Sequence, residues 1–165
     1  MTPQPIQKST RRAAIAKRDD TREPQIKVLH APKSPAFPAG RMLIASPLTL
    51  RAIISNVPRG YVLKFSALRE ALARQFDTDY TCPVTTGIFL RIAADAAEED
   101  RADGADDVMP WWRMVRDDGS LFEKLPGGLA RQAALLSLEG VTIHIERGVP
   151  RRVDSVAAIA YTPAA

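Results

Sequence analysis

Apolar residues recur three or four positions apart in four stretches of the chain, and each stretch carries its own start or stop signal. Ser46-Pro47 pairs an N-cap side chain with a proline suited to the first helical position. Leu48, Leu50, Ile53 and Ile54 then share one face, which predicts a short helix ending near Asn56. Val57 to Val62 turns the chain. Ser66 can cap a second helix from Ala67 to about Phe76, with Leu68, Ala71, Leu72 and Phe76 as its buried stripe and Arg69, Glu70 and Arg74 facing out. Cys82-Pro83 opens a third, in which Val84, Ile88 and Ile92 repeat at spacing four and Gly87 is small enough to let another helix approach. The second and third, joined by Asp77 to Tyr80, have the layout of a helix-turn-helix. A fourth helix enters through Gly127-Gly128, carries Leu129 to Leu136, and ends at Gly140 as a left-handed cap.

Alternation replaces helical spacing at Val141 to Glu146, which predicts a half-buried strand with His144 on its polar face. Arg147, Arg151 and Arg152 follow in a Gly/Pro turn, Val153 to Tyr161 reads as an edge strand, and Ile26 to His30 as another short strand. The expected fold is mainly α with a few short strands.

Composition sharpens the domain picture. A chain of 165 residues, 45% apolar, can bury one core. Residues 1–41 hold six of the thirteen prolines, and nine Lys or Arg against three carboxylates, a surplus of +6 that leaves −2 for the rest of a +4 chain. The expectation is a flexible basic arm over 1–41, a folded domain over 42–147 and a C-terminal extension over 148–165. A basic arm suits nucleic acid, because lysine and arginine release counterions from phosphate, and equally suits a solvated tail. Asp95, Glu98, Glu99, Asp100, Asp103, Asp106 and Asp107 surround Arg101, and read as a solvated acidic loop over 95–107 leading to Pro110. No membrane span or secretory leader is expected, so the cytoplasm is the default. One cysteine, Cys82, excludes an internal disulfide, and with His30 and His144 as the only histidines no metal or cofactor is expected.

Met109 to Val141 carries the chemistry. Pro110-Trp111-Trp112-Arg113-Met114-Val115, and the helix from Gly127-Gly128-Leu129 through Arg131-Gln132 to Glu139-Gly140, resemble the carboxy-terminal domain of the alkylguanine-DNA alkyltransferases. There the segments read P-C-H-R-V and G-G-L-x-R-Q-x-x-L-L-x-x-E-G. Val57 to Val62 is similar to the family's I-P-x-G-x-V turn, and roughly Leu48 to Val141 is covered. The resemblance implies a winged helix-turn-helix. It maps the family's acceptor cysteine onto Trp111, its histidine onto Trp112, its orienting glutamate onto Glu139, its tyrosine onto Phe65, and the arginine that replaces a rotated base onto Val84.

A thiolate nucleophile and its base are therefore absent from the motif, and no alkyl transfer is expected at Trp111. Tryptophan at the acceptor position is the mark of the alkyltransferase-like proteins, non-enzymatic binders of O6-alkylated guanine. That resemblance implies an alkyl-base pocket of Pro110, Trp111, Trp112 and Arg113. It also implies a DNA-binding surface of Phe65, Ser66, Pro83, Val84, Thr85, Gly87 and Arg91, with double-stranded DNA carrying alkylated guanine as partner and a repair protein as a further one. Arg113 could hold the loop, a phosphate or an internal ion pair. Glu139, without a histidine, could simply hold a helix end or a backbone amide. Two alternatives stay open: a degenerate interaction module without lesion binding, and Cys82 at a helix N-terminus as substitute nucleophile.

Overall fold

The computed structural model describes residues 14–20 and 23–164. Residues 14–18 are helical, and the elements after them are β1 (Gln25–Leu29), β2 (Gly40–Ile44), α1 (Pro47–Ile54), β3 (Leu63–Lys64), α2 (Phe65–Gln75), β4 (Tyr80–Thr81) and α3 (Pro83–Ala102). A 3-10 turn at Trp111–Arg113 leads to β5 (Met114–Val115), α4 (Gly128–Leu138), β6 (Ile143–Glu146), β7 (Val149–Val153) and the short α5 (Val156–Ile159). Helices dominate, and the strands form three small sheets in the orders β1-β2-β4, β3-β5 and β6-β7.

The core gathers Leu43, Leu50, Ile54, Leu63, Leu68, Leu72, Leu90, Trp111, Met114 and Leu136, all essentially inaccessible. Ser46 opens α1 through a reciprocal capping box with Thr49, as an N-cap ahead of proline should. Helix α2 starts two residues earlier than the pattern predicts. Ser66 lies inside it, and the cap comes from a distant loop, the Ser66 N–H donating to Asp117 Oδ1 at 2.9 Å. Local sequence cannot show a cap supplied from 51 residues away.

The basic arm is corrected over its second half. β1 pairs antiparallel with β2 in full register from Gln25↔Ile44 to Leu29↔Gly40, and β2 pairs parallel with β4 at Met42↔Tyr80 and Leu43↔Thr81. Residues 14–20 also dock: the Ile15 N–H donates to Glu99 Oε2 at 3.1 Å, and Arg18 is ion-paired with Asp19 and Asp100. Residues 1–13, 21 and 22 lie outside the described residues.

The acidic stretch is corrected as well. Helix α3 is continuous to Ala102, so only Asp103 to Val108 is loop. The boundary expected at 147/148 falls in the β6–β7 hairpin, where Arg147 and Gly148 both take positive φ. Val153 is buried, and Tyr161 N–H donates to the Val62 carbonyl at 2.7 Å, so the extension packs on the same core. Val153 ends β7, and the residues after it form a turn, the four-residue α5 and one parallel bridge from Ala160 to Val62, not an edge strand.

Candidate functional site

Glycines at 127 and 128 admit the chain to α4 with φ of 75° and 68°, and a Cβ at Gly127 would sit 2.4 Å from Arg131 Cδ. That turn sets α4 against the 3-10 turn of Trp111–Arg113. Gln132, wholly buried, fastens the two: its Nε2 donates to the Trp112 carbonyl at 3.1 Å and the Met114 carbonyl at 2.6 Å, while its Oε1 accepts from the Phe122 N–H at 2.8 Å.

Trp111 is 0% exposed. Its Nε1 donates to Glu98 Oε1 of α3 at 2.9 Å, and the other Glu98 oxygen accepts from Arg131 Nη2 of α4 at 2.6 Å. Trp111 thus joins α3 to α4 from inside the core. Trp112 packs edge-on against it, with centroids 6.0 Å apart, and keeps 9% of its surface.

Trp112 Nε1 donates to Glu139 Oε1 at 2.9 Å. Arg113 donates from Nη2 to Oε1 at 2.7 Å and from Nε to Oε2 at 3.0 Å, and its Nη1 reaches the Val57 carbonyl. The Gly60 N–H donates to Oε2 at 3.3 Å. Burial pushes the Glu139 carboxyl up, but the hydrogen bonds from Arg113, Trp112 and Gly60 outweigh it and hold the group below the ordinary carboxylate range. Glu139 therefore has an indole partner in Trp112, and Arg113 takes the internal ion pair of the roles open to it.

Pro110, Trp112 and Arg113 border one cavity of about 480 Å³, together with Arg59, Arg101 and Asp106. The Arg101 and Arg113 guanidiniums lie 5.1 and 5.7 Å from the Trp112 ring centroid. The structure thus brings three of the four expected pocket residues together, with Trp111 buried behind them.

The expected DNA-binding residues divide. Phe65 packs edge-on against Phe122 at 6.2 Å and has Arg69 6.0 Å from its centroid, and Ser66 is engaged by Asp117. Pro83 is half-buried, and Thr85 has a shielded Oγ1 without a hydrogen-bond partner. Val84, Gly87 and Arg91 lie exposed along α3, joined by Ile88. Val84 and Ile88 are 57% and 53% exposed, and a Cβ at Gly87 would meet nothing within 4 Å, so the first two members of the 84-88-92 row face outward, and Gly87 is not the site of a close helix approach. The helix buries Thr86, Leu90, Ala93, Ala94 and Ala97 instead, a seam of small residues that a search for large aliphatics passes over. Arg91 stands 4.0 Å from Asp95 in an exposed pair, so the face is chiefly apolar and not basic.

Sequence reasoning missed Glu98, Arg101 and Gln132 as site residues. Gln132 stood inside a quoted motif, whereas Glu98 could not be told from its acidic neighbours. Cys82 is buried, and no group of His, Cys, Asp and Glu side chains able to hold a metal occurs among the described residues. No helix among them is long and apolar enough to cross a membrane.

No family model and no curated protein matches the chain. Among solved structures it is similar to S. pombe Atl1 in complex with damaged DNA containing O6-carboxymethylguanine, with 16% identity, a TM-score of 0.47, and coverage of 71% of this chain and 94% of that one.

Proposed function

We propose that the chain is a non-enzymatic, DNA-binding protein of the alkyltransferase-like type that engages duplexes carrying alkylated guanine during repair. One observation carries the reading. The residues that make up the motif resemblance, Trp112, Arg113, Gln132, Glu139 and the Val57 to Gly60 turn, converge on a single hydrogen-bonded network. Helices α2 and α3 then serve as the helix-turn-helix, with the β6–β7 hairpin as its wing.

Chemistry at this network stops at recognition. Indoles supply neither an alkyl acceptor nor a base near neutral pH, and every direction from which Glu139 could orient a base is already taken. Turning a guanine out of the stack costs a few kcal/mol, which stacking and apolar contact with the added alkyl group can offset. Trp112, at the rim of the cavity, is the ring offered to such a base, and Trp111 supports it from behind.

The test is fluorescence anisotropy of the full chain with a short duplex, with and without one O6-alkylguanine. Preference for the lesion by about tenfold or more is expected, and Trp112→Phe should keep more of it than Trp112→Ala. A second reading, an interaction module without lesion binding, is favoured by the apolar face of Val84 and Ile88 and by the Phe65–Phe122 contact. Absence of duplex binding at all concentrations up to the solubility limit would select it.

A further inference from the structure

Helix α3 has an exposed face ready for a groove but few cations beside it, and a DNA-binding protein gains most of its affinity from neutralised phosphates. We infer that the β1–β2 hairpin supplies them: it is a phosphate-contacting element for duplex DNA, built onto the turn of the helix pair, with Lys27 and Lys33 as its contacts. The inference rests on the proposed DNA-binding reading and extends it to a segment ahead of the region covered by the motif resemblance.

Position comes first. β2 pairs with β4, and β4 ends one residue before Cys82, whose N–H donates to the Leu43 carbonyl at 2.8 Å just ahead of α3. Three further contacts hold the hairpin to that turn. Tyr80 Oη donates to the Pro38 carbonyl at 2.8 Å, the Asp79 N–H donates to the Arg41 carbonyl at 2.9 Å, and Asp79 Oδ2 accepts from the Arg41 N–H at 2.7 Å. Gly40, at φ 132°, leaves no room for a Cβ, which would meet Asp79 Oδ2 at 2.7 Å. β1 is therefore fixed two strand spacings, roughly 10 Å, from β4. A major groove is about 12 Å wide, so β1 lies within one groove width of the strand that leads into α3.

Charge comes second. Between Glu23 and Glu70 the chain has no carboxylate, while it has Lys27, Lys33, Arg41, Arg51, Arg59, Lys64 and Arg69. Arg41 is answered by Asp77 at 3.8 Å, Arg59 donates to the Leu138 carbonyl, and Arg69 donates to the Thr81 carbonyl. Lys27 in β1 and Lys33 in the connecting loop are exposed, and neither pairs with a carboxylate among the described residues. A lysine on an edge strand also discourages edge-to-edge pairing, which would account for Lys27 but not for Lys33.

The experiment compares the full chain with Lys27→Gln/Lys33→Gln in duplex anisotropy titrations between 50 and 200 mM salt, with circular dichroism and light scattering on both. Two lost phosphate contacts should make the slope of log K against log salt shallower by about 1.8, so that the loss of affinity is roughly twelvefold greater at 50 than at 200 mM. A slope equal to that of the wild type would overturn the inference and leave DNA binding standing. So would an equal loss at every salt concentration, or self-association as the sole change. Failure of the wild type to bind duplex would remove the functional reading and the inference together.

Discussion

Glu139 is the residue on which three separated segments close. Its side chain is 4% exposed and accepts from Trp112, Arg113 and Gly60. Breaking a buried pair from one side is expensive because the other charge is left without compensation. Glu139→Ala should cost about 3 kcal/mol at neutral pH, by the usual penalty for such a deletion. The pH dependence follows from the sign of its shift. A carboxyl held below its ordinary value of 4.5 contributes stability above that value and loses it as pH falls through the lower, folded-state value. Urea unfolding at pH 7 and again below pH 4 should therefore show the gap between wild type and Glu139→Gln narrowing in acid. A gap independent of pH would mean that shape, and not charge, is what the site needs. Trp111→Cys makes the complementary point about the core. It would introduce a thiol but empty a fully buried site and strand Glu98, so a loss of about 4 kcal/mol, by analogy with large-to-small core changes, is expected in the same assay.

Helix α3 is a single element with two unlike halves, and it shows where a sequence can be read and where it cannot. Pro83 marked its start, because proline at a first helical position has a local cause. The helix pair, α4 and the Glu139-Gly140 stop were legible for the same reason. Its far half was not. Seven carboxylates in thirteen residues read as solvated loop, yet Glu98 is turned to Trp111 and Arg131, Glu99 to the Ile15 N–H and Asp100 to Arg18. Those partners lie far away in the chain, and no local pattern announces them. At the site, the motif named Trp112 and Arg113, but not that an indole N–H would occupy the bond to Glu139. One carboxylate on this helix has a weaker partner, Asp95, 4.0 Å from Arg91 one turn away. Burial pushes the Asp95 carboxyl up, with Glu99 and Glu98 adding to the effect and Arg91 and Lys17 opposing it. The folded state then disfavours its ionised form, so Asp95→Asn should raise the melting temperature at pH 7. The gain should vanish below its ordinary value of 3.8, where the unfolded chain is protonated too. A lower melting temperature at pH 7 would show that the pair with Arg91 outweighs burial.

At the scale of the molecule, residues 14–20 and 23–41 are part of the fold and not an appendage to it. Proline content and missing periodicity made residues 1–41 look like a tail, because a two-stranded ribbon needs only five residues per strand and its pairing partner β4 is two residues long. The consequence is a graded response to truncation. Removing residues 1–23 takes away Arg18 and the Ile15 N–H, leaving Asp100 without its ion pair and Glu99, 8% exposed, without its donor. Uncompensated carboxylates of that kind should lower the melting temperature by roughly 6 to 12 °C, taking a loss of about 3 kcal/mol in a domain of this size. Removing residues 1–41 further strips β1 from β2 and takes out Gly40 and Arg41, which anchor the hairpin to Asp79. Met42 and Leu43, at 6% and 0% exposure, would then lie on an open strand edge. Thermal melts and light scattering of the two truncations and the whole chain should place 24–165 below the full chain and 42–165 below both, with 42–165 prone to self-association. A 42–165 fragment as stable as the full chain would mean that the hairpin rests on the core without supporting it.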